Sequence, residues 1–245
     1  MVRVTTVGSG DAFGSGGRFQ TCIALAAEPA AAPSVLLDCG ASSLTALRQQ
    51  QIDPNQIEAV LVSHLHGDHF GGLPFLVLDG QFRGRTHDFT VFGPPGTGTR
   101  LEQAMEVLFP GSSSAQRGFA VHVFEHVDRQ PRALGLLRVT AYEVRHASGA
   151  PAYALRVDGP NASVAYSGDS EWTDALLDAA DNVDLFLCEG YSLSPVRWHL
   201  DLDTLARQRD KLTCRRLVLT HLSSSALVSD LSDWEVAHDG WSLDV

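Results

Sequence analysis

Ser63-His64-Leu65-His66-Gly67-Asp68-His69 follows directly on the apolar run Ala59-Val60-Leu61-Val62 and is followed by Gly71-Gly72. A short continuous apolar run bounded by turn residues reads as a strand buried on both faces. Just past its end stand three histidines and an aspartate. Imidazole and carboxylate are good zinc ligands. On a turn after a strand, His64 and His66 can point to one centre, and Asp68 and His69 to a neighbouring one. A polar surface loop is the bland alternative, and four ligand-type residues in this order at a strand end argue against it.

Working outward, the same pattern recurs. Ala141-Tyr142-Glu143-Val144-Arg145-His146, Tyr166-Ser167-Gly168-Asp169-Ser170 and Leu217-Val218-Leu219-Thr220-His221 each close an apolar strand on a histidine or aspartate. Taken singly, His146 or His221 reads equally well as a core histidine. Asp38, in Leu36-Leu37-Asp38-Cys39-Gly40, also ends a strand. Taken alone, it reads as a cap for the helix that follows.

Strands are expected at Val2–Val7, Thr21–Ala26, Val35–Asp38, Ala59–Ser63, Phe89–Phe92, Leu136–Val144, Ala152–Val157, Ser163–Tyr166, Leu185–Cys188 and Leu217–Thr220. Helices are expected at Ser42–Gln50, Thr99–Phe109, Thr173–Ala180 and Asp203–Lys211, with Ser42 and Thr173 placed to cap the first and third. The stretch Ala26 to Pro33 reads as a hairpin loop. Strands followed by alternating helices and strands, twice over, predict an α/β chain: two mixed sheets packed together with helices outside, as one domain over residues 1–245.

The chain has 245 residues, 44% hydrophobic and 19% charged, with a formal net charge of −11. This excludes a disordered chain. Long nucleic acid is not an expected partner, because that affinity comes mostly from neutralising phosphates. A small anion at a local positive centre such as a metal stays open. No window approaches the length of a membrane span, and Met1 to Val7 alternates like a strand rather than a signal peptide. Cys22, Cys39, Cys188 and Cys214 form no CxxC pair and read as thiols of a reducing compartment. The expected location is cytoplasmic. Asn161-Ala162-Ser163 reads as a chance sequon. Gly93 to Thr99 has P-loop glycine spacing, but Thr99 stands where lysine is required.

The HxHxDH segment resembles the signature of the metallo-β-lactamase superfamily, and the later strand-end residues follow that family's order. The resemblance implies a four-layer αββα sandwich and two divalent metal ions, zinc first, with manganese or iron as alternatives. It implies that His64, His66 and His146 hold the first ion, that Asp68, His69 and His221 hold the second, and that Asp38, at a matching family position, orients ligand histidines from behind. Asp169 would bridge them. Two ions about 3.5–4 Å apart can hold a hydroxide that is nucleophilic at neutral pH.

Three further features resemble the ribonuclease Z-like branch: Val7-Gly8-Ser9-Gly10-Asp11-Ala12, Phe92-Gly93-Pro94-Pro95-Gly96-Thr97, and Cys188-Glu189-Gly190 followed by His199. The last implies a Glu189–His199 pair that protonates the leaving alkoxide. Taken alone, His199 reads as a surface histidine before a helix. Two features depart from the branch. No long basic arm separates His146 from Asp169, and Ser223-Ser224-Ser225-Ala226 stands where an arginine is usual.

The expectation is therefore a metal-dependent phosphodiesterase for a small molecule or short oligonucleotide. Asp68, His199 and Glu189 would be its catalytic residues, and Ser223 and Ser224 would add hydrogen bonds to a phosphate. The alternatives are a lactone or thioester hydrolase on the same metals, a transfer-RNA 3′ endonuclease whose arm another chain supplies, and a non-catalytic metal-binding sensor. A homodimer is compatible with each.

Overall fold

A computed structural model describes residues 1–245 and shows two mixed β-sheets lying face to face with helices on both outer surfaces. The first sheet contains β1 (Arg3–Gly8), β2 (Cys22–Ala26), β3 (Val35–Leu37), β4 (Ala59–Leu61), β5 (Phe89–Gly93), β6 (Val121–Glu125) and β13 (Ser242–Asp244), in the order β13-β1-β2-β3-β4-β5-β6. The second contains β7 (Arg132–Leu134), β8 (Leu137–Val144), β9 (Ala152–Asp158), β10 (Ser163–Tyr166), β11 (Leu185–Glu189) and β12 (Leu217–Thr220), in the order β12-β11-β10-β9-β8-β7. In each sheet one half is parallel: β3 through β6 in the first, β10 through β12 in the second.

Strand periodicity explains the four layers. Side chains alternate between faces, so Ala59 and Leu61 face the opposite sheet while Val60 packs under the helices. Leu185 and Leu187 likewise enter the inter-sheet core, and Phe186 and Cys188 pack outward. Outside the first sheet lie α1 (Ser43–Gln49), α3 (Leu73–Phe82) and α4 (Thr97–Leu108). Outside the second lie α5 (Asp174–Ala179), α6 (Leu202–Gln208) and α7 (Ser224–Leu227). A single turn, α2 (Gly67–Phe70), follows β4.

All ten expected strands form, and residues 27–34 make the expected turn between antiparallel β2 and β3. Thr173 caps α5 by accepting a hydrogen bond from the Ala175 amide at 3.0 Å. Ser42 does not cap α1; its hydroxyl accepts from the Gln20 amide at 2.8 Å and ties the first loop down instead. The last expected helix is split, because α6 ends at Gln208 and a 3-10 turn covers Arg209–Lys211. Three helices and three strands were not expected: α2, α3, α7, β6, β7 and β13. In α3, Leu73-Pro74-Phe75-Leu76-Val77-Leu78 is apolar on every side and carries no helical period. β6 lies at a sheet edge, where only Val121 and Val123 pack inward. No helix is long and apolar enough to cross a membrane. All four cysteines are free, and three are buried.

Leu155 is fully buried between the sheets. Leu155→Ala should lower unfolding free energy by about 2–5 kcal/mol in urea denaturation, whereas Val107→Ala, on an 81% exposed side chain, should change it by less than about 0.5 kcal/mol.

Candidate metal centre

The parallel halves of both sheets end at one rim. From the first sheet, the chain leaving β4 places His64, fully buried, and then His66 just before α2; that turn presents Asp68 and His69. From the second sheet, His146 follows β8, Asp169 follows β10, Glu189 ends β11 and His221 follows β12. Glycine makes the close approaches. A Cβ on Gly40 would stand 2.3 Å from the Asp68 carbonyl oxygen. Gly168 has φ +58°, and a Cβ there would stand 2.7 Å from the Tyr153 carbonyl oxygen.

The ligand-type residues form two adjoining groups, His64, His66 and His146, and Asp68, His69, Asp169 and His221, while a third, Asp169, Glu189, His199 and His221, shares two members with the second. Within each group the candidate ligand atoms lie within 4.8 Å of one another. His66 Nδ1 is 3.0 Å from His146 Nε2. His221 Nε2 is 3.3 Å from His69 Nε2 and 3.2 Å from Asp68 Oδ2. Asp169 faces both groups. Its Oδ2 lies 3.8 Å from His64 Nε2 and 4.0 Å from His146 Nε2, while its Oδ1 lies 3.3 Å from His69 Nε2 and 3.6 Å from His221 Nε2.

Residues behind the rings fix which nitrogen faces the centre. Asp38 is not a helix cap. Its Oδ2 accepts from His69 Nδ1 at 2.7 Å, and its carboxylate also takes the Ser63 amide and hydroxyl, each at 2.7 Å. The Ser63 oxygen then accepts from His64 Nδ1 at 3.1 Å. His146 Nδ1 donates to the Trp198 carbonyl at 2.7 Å. In all three rings Nε2 is left for the centre.

The residues fit divalent cations. His64 Nε2 and Asp169 Oδ1 are buried and lack hydrogen-bond partners. Buried polar atoms are otherwise nearly always paired, and both belong to imidazole and carboxylate groups that hold such cations. Charge is unevenly placed. Burial disfavours the His69 imidazolium, but Asp169, Asp68 and Asp38 outweigh it and lift its pKa well above the ordinary value. His221 is likewise pushed up to about 10: burial opposes the charge, and Asp169 and Asp68 override it. His64, buried beside His69, is pushed well below the ordinary value. Burial would raise Asp169, yet the His221 and His69 charges hold it well below the carboxylate range.

Glu189 and His199 are brought together. Glu189 is fully buried, and its Oε1 accepts from His199 Nδ1 at 2.5 Å. Its Oε2 accepts from the Ser170 and Leu200 amides at 2.9 and 3.1 Å. His199 Nδ1 lies 3.7 Å from Asp169 Oδ2. Burial works against the His199 imidazolium, but the Glu189 hydrogen bond and charge win and raise its pKa. Ser223 and Ser224 are otherwise engaged. Ser223 Oγ caps α7 and contacts Ser225 Oγ at 3.0 Å, and Ser224 Oγ donates to Ser15 Oγ at 2.9 Å.

Sequence reading missed Tyr191, whose ring stacks on His199 with centroids 4.3 Å apart. It stands two residues past Glu189, and only that nearness pointed to it. The roles of Ser63 and Trp198 were also missed. Ser63 adjoins the first histidine, but Trp198 acts through its carbonyl, which the residue type does not signal.

Comparison with known proteins matches residues 34–222 to the family described as the beta-lactamase superfamily domain. An uncharacterised protein of Mycobacterium leprae is 33% identical over 197 residues, covering 78% of this chain and 67% of that protein. A ribonuclease Z of Methanosarcina acetivorans is 25% identical over 272 residues, covering 91% and 88%. Among solved structures, zinc-bound PqqB from Methylobacterium extorquens superposes with a TM-score of 0.79 at 18% identity over 99% of this chain and 100% of that one. A diphosphatase of the PhnP family superposes with a TM-score of 0.76 at 18% identity over 100% and 98%. With the four-layer fold and the strand-end residues in the order described, the chain belongs to the metallo-β-lactamase superfamily of metal-dependent hydrolases.

Proposed function

We propose that the protein is a dinuclear metal-dependent phosphodiesterase acting on a small molecule or short oligonucleotide. His64, His66 and His146 would hold one ion, Asp68, His69 and His221 the other, and Asp169 would bridge them. The observation that carries the reading is the pair of buried Glu189 and half-buried His199, set 3.7 Å from the carboxylate that faces both ligand groups. Two divalent cations bound there would supply Lewis acidity toward the phosphoryl oxygens and a water acidified to near-neutral pH. The zinc-bound neighbour supports zinc, with manganese or iron as alternatives.

The chain's own residues do the rest. Asp68, 7% exposed, lies at the mouth of the second group and orients the attacking water by accepting its hydrogen. His199 carries a proton on Nε2 while Glu189 holds Nδ1. As water attacks phosphorus and the P–O bond breaks, that proton passes to the departing oxygen. A thiolate leaves without this acid, and a lactone expels its alkoxide only after a tetrahedral intermediate has formed, whereas in a phosphodiester alkoxide departure is part of the displacement at phosphorus and gains most from the acid. This favours a phosphodiester over the lactone or thioester alternative. The names of two similar proteins, a ribonuclease Z and a diphosphatase, also support phosphate chemistry.

Transfer-RNA processing is the second reading, favoured by the ribonuclease Z relative. Against it, the chain between His146 and Asp169 is taken up by β9, a short turn and β10, with no projecting arm. The net charge of −11 adds no grip on a polyanion. The proposed partner is a small substrate, and a homodimer and a cytoplasmic location remain part of the proposal.

Elemental analysis should find two ions per chain. Without metal, the carboxylates around His69 and His221 favour their imidazolium forms, so loading should release protons. Affinity should accordingly rise with pH. Calorimetry in buffers of different ionisation enthalpy measures the release, and zero release contradicts the assignment. His199→Ala should cut turnover of alkyl phosphodiesters by about 10²–10⁴-fold at unchanged metal content. The loss should be far smaller for p-nitrophenyl esters, whose leaving group hardly needs a proton. One metal-loaded preparation should hydrolyse bis(p-nitrophenyl) phosphate and leave precursor transfer RNA intact at near-physiological salt; efficient cleavage at the 3′ end would restore the endonuclease.

A further inference from the structure

Trp198 has φ +73°, in the left-handed region where a bulky aromatic is out of place. Both of its backbone polar groups are used. Its carbonyl accepts from His146 Nδ1 at 2.7 Å, and its amide donates to Glu171 Oε1 at 2.9 Å. The next residue is His199, held by Glu189, and the amide after that, Leu200, donates to the same Glu189. One turn of backbone therefore serves two tasks: it orients a candidate metal ligand and it delivers the candidate general acid. With ordinary helical or extended dihedrals at Trp198, the carbonyl and His199 would not keep these two directions at once.

The turn follows an exposed segment, residues 193–197, and Trp198 and His199 are themselves half-buried. Besides the Trp198 carbonyl and the Glu189 contacts, it is tied by a Val196–His199 bridge, by the Tyr191 amide donating to the Leu200 carbonyl at 2.9 Å and by the Tyr191 ring on His199, and the Trp198 amide itself is taken by the side chain of Glu171. That residue stands two positions past Asp169. Its amide donates to the Arg145 carbonyl at 3.0 Å, and its carboxylate lies 3.5 Å from the Arg145 guanidinium. Arg145 directly precedes His146, and its amide is joined to Ser170 Oγ at 3.3 Å. Glu171 thus links the strand end that carries His146, the one that carries Asp169, and the turn that carries His199.

We propose that Glu171 is a positioning residue. Through the Trp198 amide it locks the left-handed turn that aims His199 at the leaving group and keeps the His146 Nδ1 proton bound to a carbonyl. The proposal rests on the phosphodiesterase reading for its kinetic consequence but not for its structural one.

The test compares Glu171→Ala, Glu171→Gln and Trp198→Gly as full-length, metal-loaded proteins. Two readouts are taken: hydrogen exchange of the 196–200 amides by mass spectrometry, and kcat and KM for phosphodiesters with good and poor leaving groups. Glu171→Ala should speed exchange at Trp198 and Leu200 by about 10-fold or more. It should also lower kcat for poor leaving groups by about 10–100-fold, within the range of lost acid catalysis, while KM and p-nitrophenyl ester turnover change little. Glu171→Gln keeps an oxygen for the Trp198 amide and should restore both readouts to within about 3-fold of wild type. Glycine adopts the left-handed conformation freely, so Trp198→Gly should keep the leaving-group profile.

Unchanged exchange in Glu171→Ala overturns the proposal. So does a Gln variant as impaired as the Ala variant, which would assign the effect to the Arg145 ion pair. A Trp198→Gly variant that loses the acid limb would assign the role to the indole and overturn it as well. If Glu171→Ala does not fold, the Gln and Gly variants still decide. If wild-type protein cleaves no phosphodiester, the functional reading fails, while the exchange data still judge the hold on the turn.

Discussion

One carboxylate lies between imidazoles supplied by two different sheets. Asp169 leaves the second sheet and turns one oxygen toward His64 and His146, the other toward His69 and His221. A buried anion is tolerable only when neighbouring charge or hydrogen bonds compensate it. The rest of the rim follows from that constraint: histidines from both sheets must converge, and their backbones must approach closely enough that Gly40 and Gly168 carry no side chain. The distance between the sheets, fixed by Leu61, Leu155, Leu187 and their neighbours in the core, thereby sets the span that Asp169 has to bridge.

The groups behind the rings matter as much as the rings. Asp38 holds His69 directly and His64 through the Ser63 hydroxyl. Glu189 performs the corresponding task on the other side, holding His199 with one oxygen and two amides with the other. Its Oε1 also comes within 3.5 Å of His221 Nδ1, too long for a good hydrogen bond but close enough to be felt electrostatically. Each carboxylate thus fixes orientation and charge together, and the raised pKa of His199 follows from both, the Glu189 hydrogen bond first.

Much of this was legible in the sequence because each candidate ligand closes a run of apolar residues. Val60-Leu61-Val62 before His64 and Val218-Leu219-Thr220 before His221 state where a strand stops and what stands there. What escaped was carried by backbone groups or by unpatterned segments. The Trp198 carbonyl serves His146, but nothing about tryptophan predicts a left-handed turn. Tyr191 has no motif of its own, and its stacking on His199 depends on the path of the intervening loop. Ser42 had the residue type of a cap and its position, yet the Gln20 amide won its oxygen. α3 was hidden because a run that is apolar on every side shows no period.

The division of the ligand set between two sheets has a consequence for lifetime. His64, His66, Asp68 and His69 belong to the first sheet, and His146, Asp169 and His221 to the second. Any opening that parts the sheets must also pull this set apart. Ions held across the seam would therefore oppose the escape step itself, making the native state slow to leave as well as favoured at equilibrium. Stripping them would expose a molecule of the same fold with a shorter half-life, its two halves free to separate before the helices on either face have lost a contact.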